Sequence, residues 1–157
     1  MRILLAVDGS TGSEAAIQEV IKRPWGPKSE LKVVTVAEIP VMPVIEPWGP
    51  PHNYFATLEA TTYGAASAVL EKAMARLKRL GTDSLKISSE VLQGPPAQAI
   101  VDEAEHWEAD LIVMGSRGLG AWSRLLLGSV SNGVVHHAKC SVEIVRHSNG
   151  QPSAAGT

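Results

Sequence analysis

Five short apolar runs, separated by longer segments with helical periodicity, constrain the fold of this 157-residue chain more than any other feature. Most of the runs are rich in valine and isoleucine without a clean alternation of apolar and polar residues. That pattern is typical of strands covered on both faces of a parallel sheet. The run from Leu85 does alternate in part, which indicates a position near an edge of the sheet. The predicted strands are Ile3–Val7, Leu31–Val36, Leu85–Leu92, Asp110–Met114 and Val142–Val145.

The segments between the strands have the apolar spacing of amphipathic helices. The first opens with Thr11 and Glu14 at the spacing of a capping box. On the third, Glu103 and its acidic neighbours Asp102 and Glu105 are expected to face solvent. The predicted helices begin at Thr11, span about Leu58–Leu80, open at Pro95-Pro96, and run from near Ser129 to about His137. This alternation implies right-handed crossovers and therefore an α/β fold with a single open five-stranded parallel sheet, helices on both faces.

The composition fits one globular domain. Hydrophobic residues make up 45% of the chain and charged residues 19%, and the formal net charge of −2 gives no broad attraction to nucleic acid or an acidic membrane. No apolar run reaches the length that spans a bilayer, and Met1–Val7 is too short for a signal-peptide core. We therefore expect a cytoplasmic protein with one domain over residues 1–147, a long irregular loop at Pro40–Asn53, and a disordered tail over residues 148–157.

Residues suited to binding phosphate follow the first and fourth predicted strands. Ligands of open α/β sheets bind beyond the carboxyl ends of the strands, and Asp8 delivers a carboxylate to that edge. After the fourth strand, glycines leave room for a ligand or for positive φ, and the unpaired amides of the next helix form a natural anion site. The hydroxyls of Ser129 and Ser131 are further candidate donors. The residues of this second segment are Gly115, Arg117, Gly118, Gly128, Ser129, Val130 and Ser131.

Two better-known nucleotide motifs are absent from this segment. It has neither the spacing nor the lysine of a P-loop, and its glycines follow the fourth strand, whereas a dinucleotide fingerprint follows the first. Glycines after a strand are also common as simple turn residues. The residues alone therefore predict an anion site at a helix start and leave its ligand open.

The glycine spacing resembles that of the universal stress proteins. Their ATP-binding members carry Gly, two residues, Gly, nine residues, Gly, and then Ser or Thr. The same spacing is present here from Gly115 through Gly118 to Gly128 and Ser129. The opening Ile3–Ser10, the fourth strand from Ala109, and the closing His137–Arg146 are also similar to that family. The resemblance implies a Rossmann-like fold of the adenine nucleotide α-hydrolase type that binds ATP with Mg²⁺.

The resemblance also implies roles for individual residues. Asp8 would contact ribose or a metal ion held by the phosphates, and the backbone of Val36 and Met114 would frame the adenine. The glycine and serine residues from Gly115 to Ser131 would hold ribose and phosphates. Members commonly form homodimers through the last strand, here about Ser141–Arg146, and an exposed edge strand is suited to that pairing.

Three functions are compatible with the sequence. The first is an ATP-binding stress-response regulator with little or no catalysis, since only Asp8 and Arg117 are candidates for a hydrolytic centre. The second is a slow ATPase or adenylating enzyme. Adenylating enzymes of related fold resemble one another in a Ser-Gly-Gly-x-Asp-Ser loop after the first strand, and the loop Asp8–Ser13 lacks that order. The third is a nucleotide-free dimeric interaction module, which the intact glycine spacing disfavours.

Overall fold

The computed structural model describes residues 1–38, 54–80, 85–116 and 127–146. The predicted loop Pro40–Asn53, the site residues Arg117 and Gly118, and the predicted tail lie outside the described residues. Strands and helices alternate along the chain. In order they are β1 (Arg2–Ala6), α1 (Thr11–Lys22), β2 (Glu30–Ala37), α2 (Tyr54–Arg79), β3 (Lys86–Gln93), α3 (Pro96–His106), β4 (Leu111–Gly115), α4 (Ser129–His137) and β5 (Ser141–Val145).

The strands form one parallel sheet in the order β3-β2-β1-β4-β5. The predicted five-stranded parallel sheet is confirmed, and so is the edge position of β3. The chain adds strands on one side of β1 until β3 and then crosses over to place β4 on the other side. The order therefore reverses between β1 and β4, where Ala6 is the register partner of Met114. In such sheets a crevice for ligands opens beyond the strand ends at this point.

Two apolar cores cover the two faces of the sheet. Along β1, Ile3 and Leu5 face the core under α1 and α2, whereas Leu4 and Ala6 face the core under α3 and α4. Successive strand residues point to opposite faces, so a strand buried on both sides must be apolar throughout. This explains the continuous apolar run at the start of the chain and places α4 on the α3 face, opposite α1.

Three local expectations prove wrong. The N-cap of α1 is Ser10 and not Thr11, because the side chain of Ser10 accepts a hydrogen bond from the Ser13 amide. The apolar spacing of the second helix places Leu77 and Leu80 on its inner stripe, but Leu80 follows the last turn of α2 and is 42% exposed, whereas Leu77 is fully buried. Glu103 was expected in solvent but is buried, because Lys32 on β2 reaches it and forms an ion pair.

Candidate functional site

The candidate site lies where the carboxyl ends of β1 and β4 meet. Asp8 follows β1 by two residues, and Ser116 directly follows β4. The two strands are adjacent and parallel, so their carboxyl ends share one edge of the sheet. The helices that follow them, α1 and α4, begin at this edge on opposite faces. The structure therefore brings together two segments that are more than one hundred residues apart in the sequence.

Asp8 stabilises the turn between β1 and α1. It is half-buried, and its Oδ1 accepts a hydrogen bond from the backbone nitrogen of Ser10 at 3.0 Å. Gly9 between them has a φ of 79°, a left-handed conformation that glycine adopts without strain. One carboxylate oxygen thus already has a partner in the turn, while the residue remains at the sheet edge as predicted.

Gly115 leaves room for the backbone of α1. A Cβ atom at this position would lie 2.7 Å from the carbonyl oxygen of Gly12 and 2.8 Å from the nitrogen of Ser13. Contacts this short do not occur for real side chains, so β4 can end against the first turn of α1 only with glycine here. The sequence indicated the need for close approach at Gly115. The group that approaches is the protein's own helix.

The amino end of α4 is an anion-binding feature beside the reversal of strand order. Its N-cap residue is Gly128, and no side chain caps it. The backbone nitrogen of Asn132 donates to the Gly128 carbonyl at 2.9 Å, so the amides of Ser129, Val130 and Ser131 precede the first bond of the helix. These amides and the helix dipole attract negative charge. By contrast, Ser10 caps α1 at the same edge.

The two serines of this helix start differ in surroundings. Ser129 is exposed, whereas Ser131 is only 2% exposed. The Ser131 hydroxyl donates to the carbonyl oxygen of Gly115 at 2.9 Å. The donor that the sequence assigned to a ligand is therefore used inside the protein, and Ser129 carries the exposed hydroxyl.

Ser116 connects the described ends of the glycine-rich segment, a role that the sequence did not reveal. Its carbonyl oxygen accepts from the backbone nitrogen of Gly128 at 2.9 Å, and its own nitrogen donates to Val145 of β5 at 2.8 Å. The chain thus leaves β4 and returns at α4 through two residues that are hydrogen-bonded to each other. A buried serine directly after a strand gives no pattern from which backbone bonds of this kind could be predicted.

Val36 and Met114 lie on one face of the sheet. Met114 is 5% exposed in the core under α3 and α4, and Val36 packs half-buried against that same core from β2. β1 separates their two strands. The positions that the resemblance assigns to the adenine therefore flank the switch point on the side where α4 begins.

The described residues contain no cluster of three or more histidine, cysteine, aspartate or glutamate side chains that could hold a metal ion. Asp8 is the carboxylate at the switch point, so a cation there would also need ligands from a bound phosphate. His136 and His137 place their Nδ1 atoms 2.8 and 2.7 Å from the carbonyl oxygens of Asn132 and Gly133. Both histidines thus interact with the backbone at the end of their own helix.

In the described part of the chain, no helix is both long and apolar enough to cross a membrane.

The chain is similar in sequence to one family of known proteins. The model of the Universal stress protein family matches residues 1–146. A universal stress protein of Thermus aquaticus is 39% identical over 144 residues, which cover 92% of this chain and 97% of the relative. One from Synechocystis is 42% identical over 71 residues, but the match covers 45% of this chain and only 46% of that relative.

Solved structures show the same architecture. The universal stress protein UspA of Lactobacillus plantarum superposes with a TM-score of 0.77 at 26% identity, covering 93% of this chain and 97% of its own. A universal stress protein solved in complex with cAMP gives a TM-score of 0.64 at 25% identity, covering 92% and 96%.

Proposed function

Because this chain belongs to the universal stress protein family, we propose that it is an ATP-binding regulatory protein of the stress response with little or no catalysis. The observation that carries the proposal is the amino end of α4, which starts without a side-chain cap beside the reversal of strand order. An uncapped helix end in a ligand crevice is a site for phosphate. The proposal extends to the cytoplasmic location expected from the sequence.

In the proposed complex, the nucleotide lies across the ends of β1 and β4. The triphosphate accepts hydrogen bonds from the first amides of α4, and the adenine lies against Val36 and Met114 on the same face of the sheet. Asp8 contacts ribose or a Mg²⁺ ion that the phosphates hold, since Mg²⁺ commonly combines one or two carboxylates with phosphate oxygens. The ribose and phosphates are held by Gly115, Arg117, Gly118, Gly128, Ser129 and Val130, and by the backbone amide of Ser131, whose hydroxyl is bonded to Gly115.

Two findings support an adenine nucleotide as the ligand. The spacing of Gly115, Gly118, Gly128 and Ser129 is that of the ATP-binding members of the family. The related universal stress protein solved with cAMP is a binder of an adenine nucleotide with the same architecture. A triphosphate suits the helix end better than a cyclic monophosphate, because it brings more negative charge to the dipole.

Hydrolysis has little support in the described residues. Cleavage of ATP needs a group that orients water and a strong positive charge at the transferred phosphoryl group. Asp8 is the described carboxylate at the switch point, and one of its oxygens is used by the Ser10 amide. We therefore propose that the site holds ATP for a regulatory purpose. Single-turnover assays with protein in excess should give no hydrolysis above that of the Asp8→Ala variant.

Among the described residues no strand pairs with the outer edge of β5, which favours a homodimer as the working unit. β5 ends the sheet on one side, and an unpaired strand edge can pair with a second copy of itself. We propose that Ser141–Arg146 forms this interface by antiparallel pairing. A nucleotide-free dimeric module is the second candidate function, because this edge does not depend on the nucleotide site.

Mass spectrometry of nucleotide released from the purified protein tests the proposal. We expect the released nucleotide to be ATP. Less ATP should be recovered from variants with a substitution at the amino end of α4, such as Gly128→Asp. Recovery of AMP or cAMP alone would keep an adenine-nucleotide site but reject ATP. If no nucleotide is recovered and none binds to the stripped protein with Mg²⁺ present, the dimeric module is the better account.

A further inference from the structure

Ser131 links the first turn of α4 to the end of β4 from inside the protein. Ser131 is 2% exposed, and its hydroxyl donates to the Gly115 carbonyl at 2.9 Å. Gly115 is itself fixed, because its Cα packs against the backbone of Gly12 and Ser13 in α1. The hydroxyl of Ser131 therefore links the first turn of α4 to a residue that packs against the backbone of α1.

The first turn of α4 has no side-chain cap, and its other restraints include the packing of Val130 against the core under α3 and α4. Its N-cap, Gly128, contributes no side chain, and the Gly128 amide is held by the Ser116 carbonyl at 2.9 Å. Uncapped helix ends fray, and capping normally limits this. A capping side chain accepts from the first amides of a helix, whereas the Ser131 hydroxyl donates to the Gly115 carbonyl. It therefore restrains the turn without occupying the amides of Ser129 and Val130.

We propose that Ser131 is a positioning residue for anion binding and that its hydroxyl does not contact the phosphates. It holds the first turn of α4 against β4, so that the amides of Ser129 and Val130 are oriented before the ligand arrives. Orientation in advance saves the entropy that binding would otherwise lose. This inference rests on the proposed nucleotide site and assigns separate roles to its two serines.

The first test uses the ligand-free protein and measures ¹⁵N relaxation order parameters of the Ser129 and Val130 amides. In Ser131→Ala they should fall from about 0.85, the value of a rigid backbone, toward 0.6. Ser131→Thr retains the hydroxyl and should keep the values of the unmodified protein. Unchanged order parameters in Ser131→Ala would overturn the positioning role, whether or not the protein binds nucleotide.

The second test compares ATP affinity with stability. Ser131→Ala should weaken ATP binding about fivefold to tenfold, and Ser131→Thr should restore it. The control is Val20→Ala. Val20 of α1 is 1% exposed and lies on the face of the sheet opposite α4, so the change creates a cavity away from the site. It should lower the melting temperature without changing ATP affinity.

Ser129→Ala completes the comparison. Loss of its exposed hydroxyl should weaken ATP binding while leaving the order parameters of the ligand-free helix unchanged. If Val20→Ala weakens ATP binding as much as Ser131→Ala does, the effect is general destabilisation and the inference is wrong. If the unmodified protein binds no ATP, the proposed function fails, and the order parameters still decide whether Ser131 positions the helix end.

Discussion

Gly115 and Gly12 lie backbone to backbone, where the end of β4 packs against the first turn of α1. This contact fixes the distance between the strand and the helix at the edge of the candidate site. It also gives Gly115 a structural reason to be glycine that is independent of any ligand.

Gly115→Ala should destabilise the protein strongly. The new methyl group would overlap backbone atoms of Gly12 and Ser13, which cannot move aside as a flexible side chain can. We expect a loss of about 3 kcal/mol in the free energy of unfolding, measured by urea denaturation. The matched control is Gly64→Ala in the exposed part of α2, where nothing lies within 4 Å of the new atom. That change should stabilise the protein by about 0.5–1 kcal/mol, and equal effects at the two positions would contradict the packing argument.

Gly128→Asp should raise the stability of the ligand-free protein and lower its affinity for ATP. Gly128 has the extended conformation of an N-cap residue, so an aspartate there can accept from the free amides of α4. Without ligand, we expect a gain of about 0.5 kcal/mol, seen as a rise of about 1–2 °C in melting temperature. ATP binding should weaken by more than tenfold, because a carboxylate replaces the anion. Gly128→Asn should give a similar rise in melting temperature with a smaller loss of affinity. A variant that binds ATP normally would show that phosphate does not use this helix end.

Lys32 and Glu103 should make a pH-dependent contribution to stability. Lys32 pairs with Glu103 on α3 and with Glu90 on β3, the latter at 2.6 Å. Burial lowers the pKa of Lys32, but hydrogen bonds to Glu103 and Glu90 outweigh it and raise the pKa above 10.5. Lys32→Met should cost about 2–3 kcal/mol at pH 8, because it leaves the buried Glu103 without its partner.

The sign of the pH effect follows from the raised pKa. The stabilising contribution is complete below the pKa of lysine in the unfolded chain and is lost as pH rises through the higher pKa of the folded state. Urea unfolding from pH 8 to 11 should show a constant difference between Lys32→Met and the unmodified protein up to about pH 10, and a smaller one above it. Glu90→Gln is the control, since Glu90 is 47% exposed at its side chain and should cost less than about 1 kcal/mol.

Dimerisation through β5 predicts sensitivity to a single backbone donor. The Val145 carbonyl accepts from Ser116, so it points toward β4, and the backbone groups of Val142 point the opposite way, to the open edge. Val142→Pro removes an edge donor and should convert a dimer, with twice the chain mass of 16.6 kDa, into a monomer by light scattering. Val142→Ala keeps the donor and should remain dimeric. A monomeric unmodified protein would reject the β5 interface.

The sequence predicted the sheet because its physical cause is local. A strand covered on both faces is mostly apolar, and this is visible in the apolar runs of β1 and β4 and in most of β2, where Lys32 and Thr35 are polar. The start of α4 at Ser129 was predicted for a similar reason, since Gly128 and the serines are typical of a helix start. The observed strand order adds the neighbourhood of Asp8 and Ser116, which depends on the crossover and not on any local pattern.

The features that could not be predicted from the sequence depend on partners that are distant along the chain. Glu103 was expected in solvent because its neighbours Asp102 and Glu105 are acidic, but Lys32 is 71 residues away in the chain and can be paired with it only once the fold is known. The Ser131 hydroxyl was expected at the ligand, and its actual acceptor is the carbonyl of Gly115. In both cases the residue type indicated polar chemistry, and the fold decided which group satisfied it.

If ATP binds at the amino end of α4, calorimetric titration of nucleotide-free protein will detect the binding heat. With Mg²⁺ present, the unmodified protein should bind one ATP per chain. Gly118→Val and Gly128→Val should abolish binding while the thermal unfolding transition is retained, because the proposed complex places both glycines against the phosphates. No binding heat from the unmodified protein, or unchanged ATP affinity in both variants, would contradict ATP binding at this helix end.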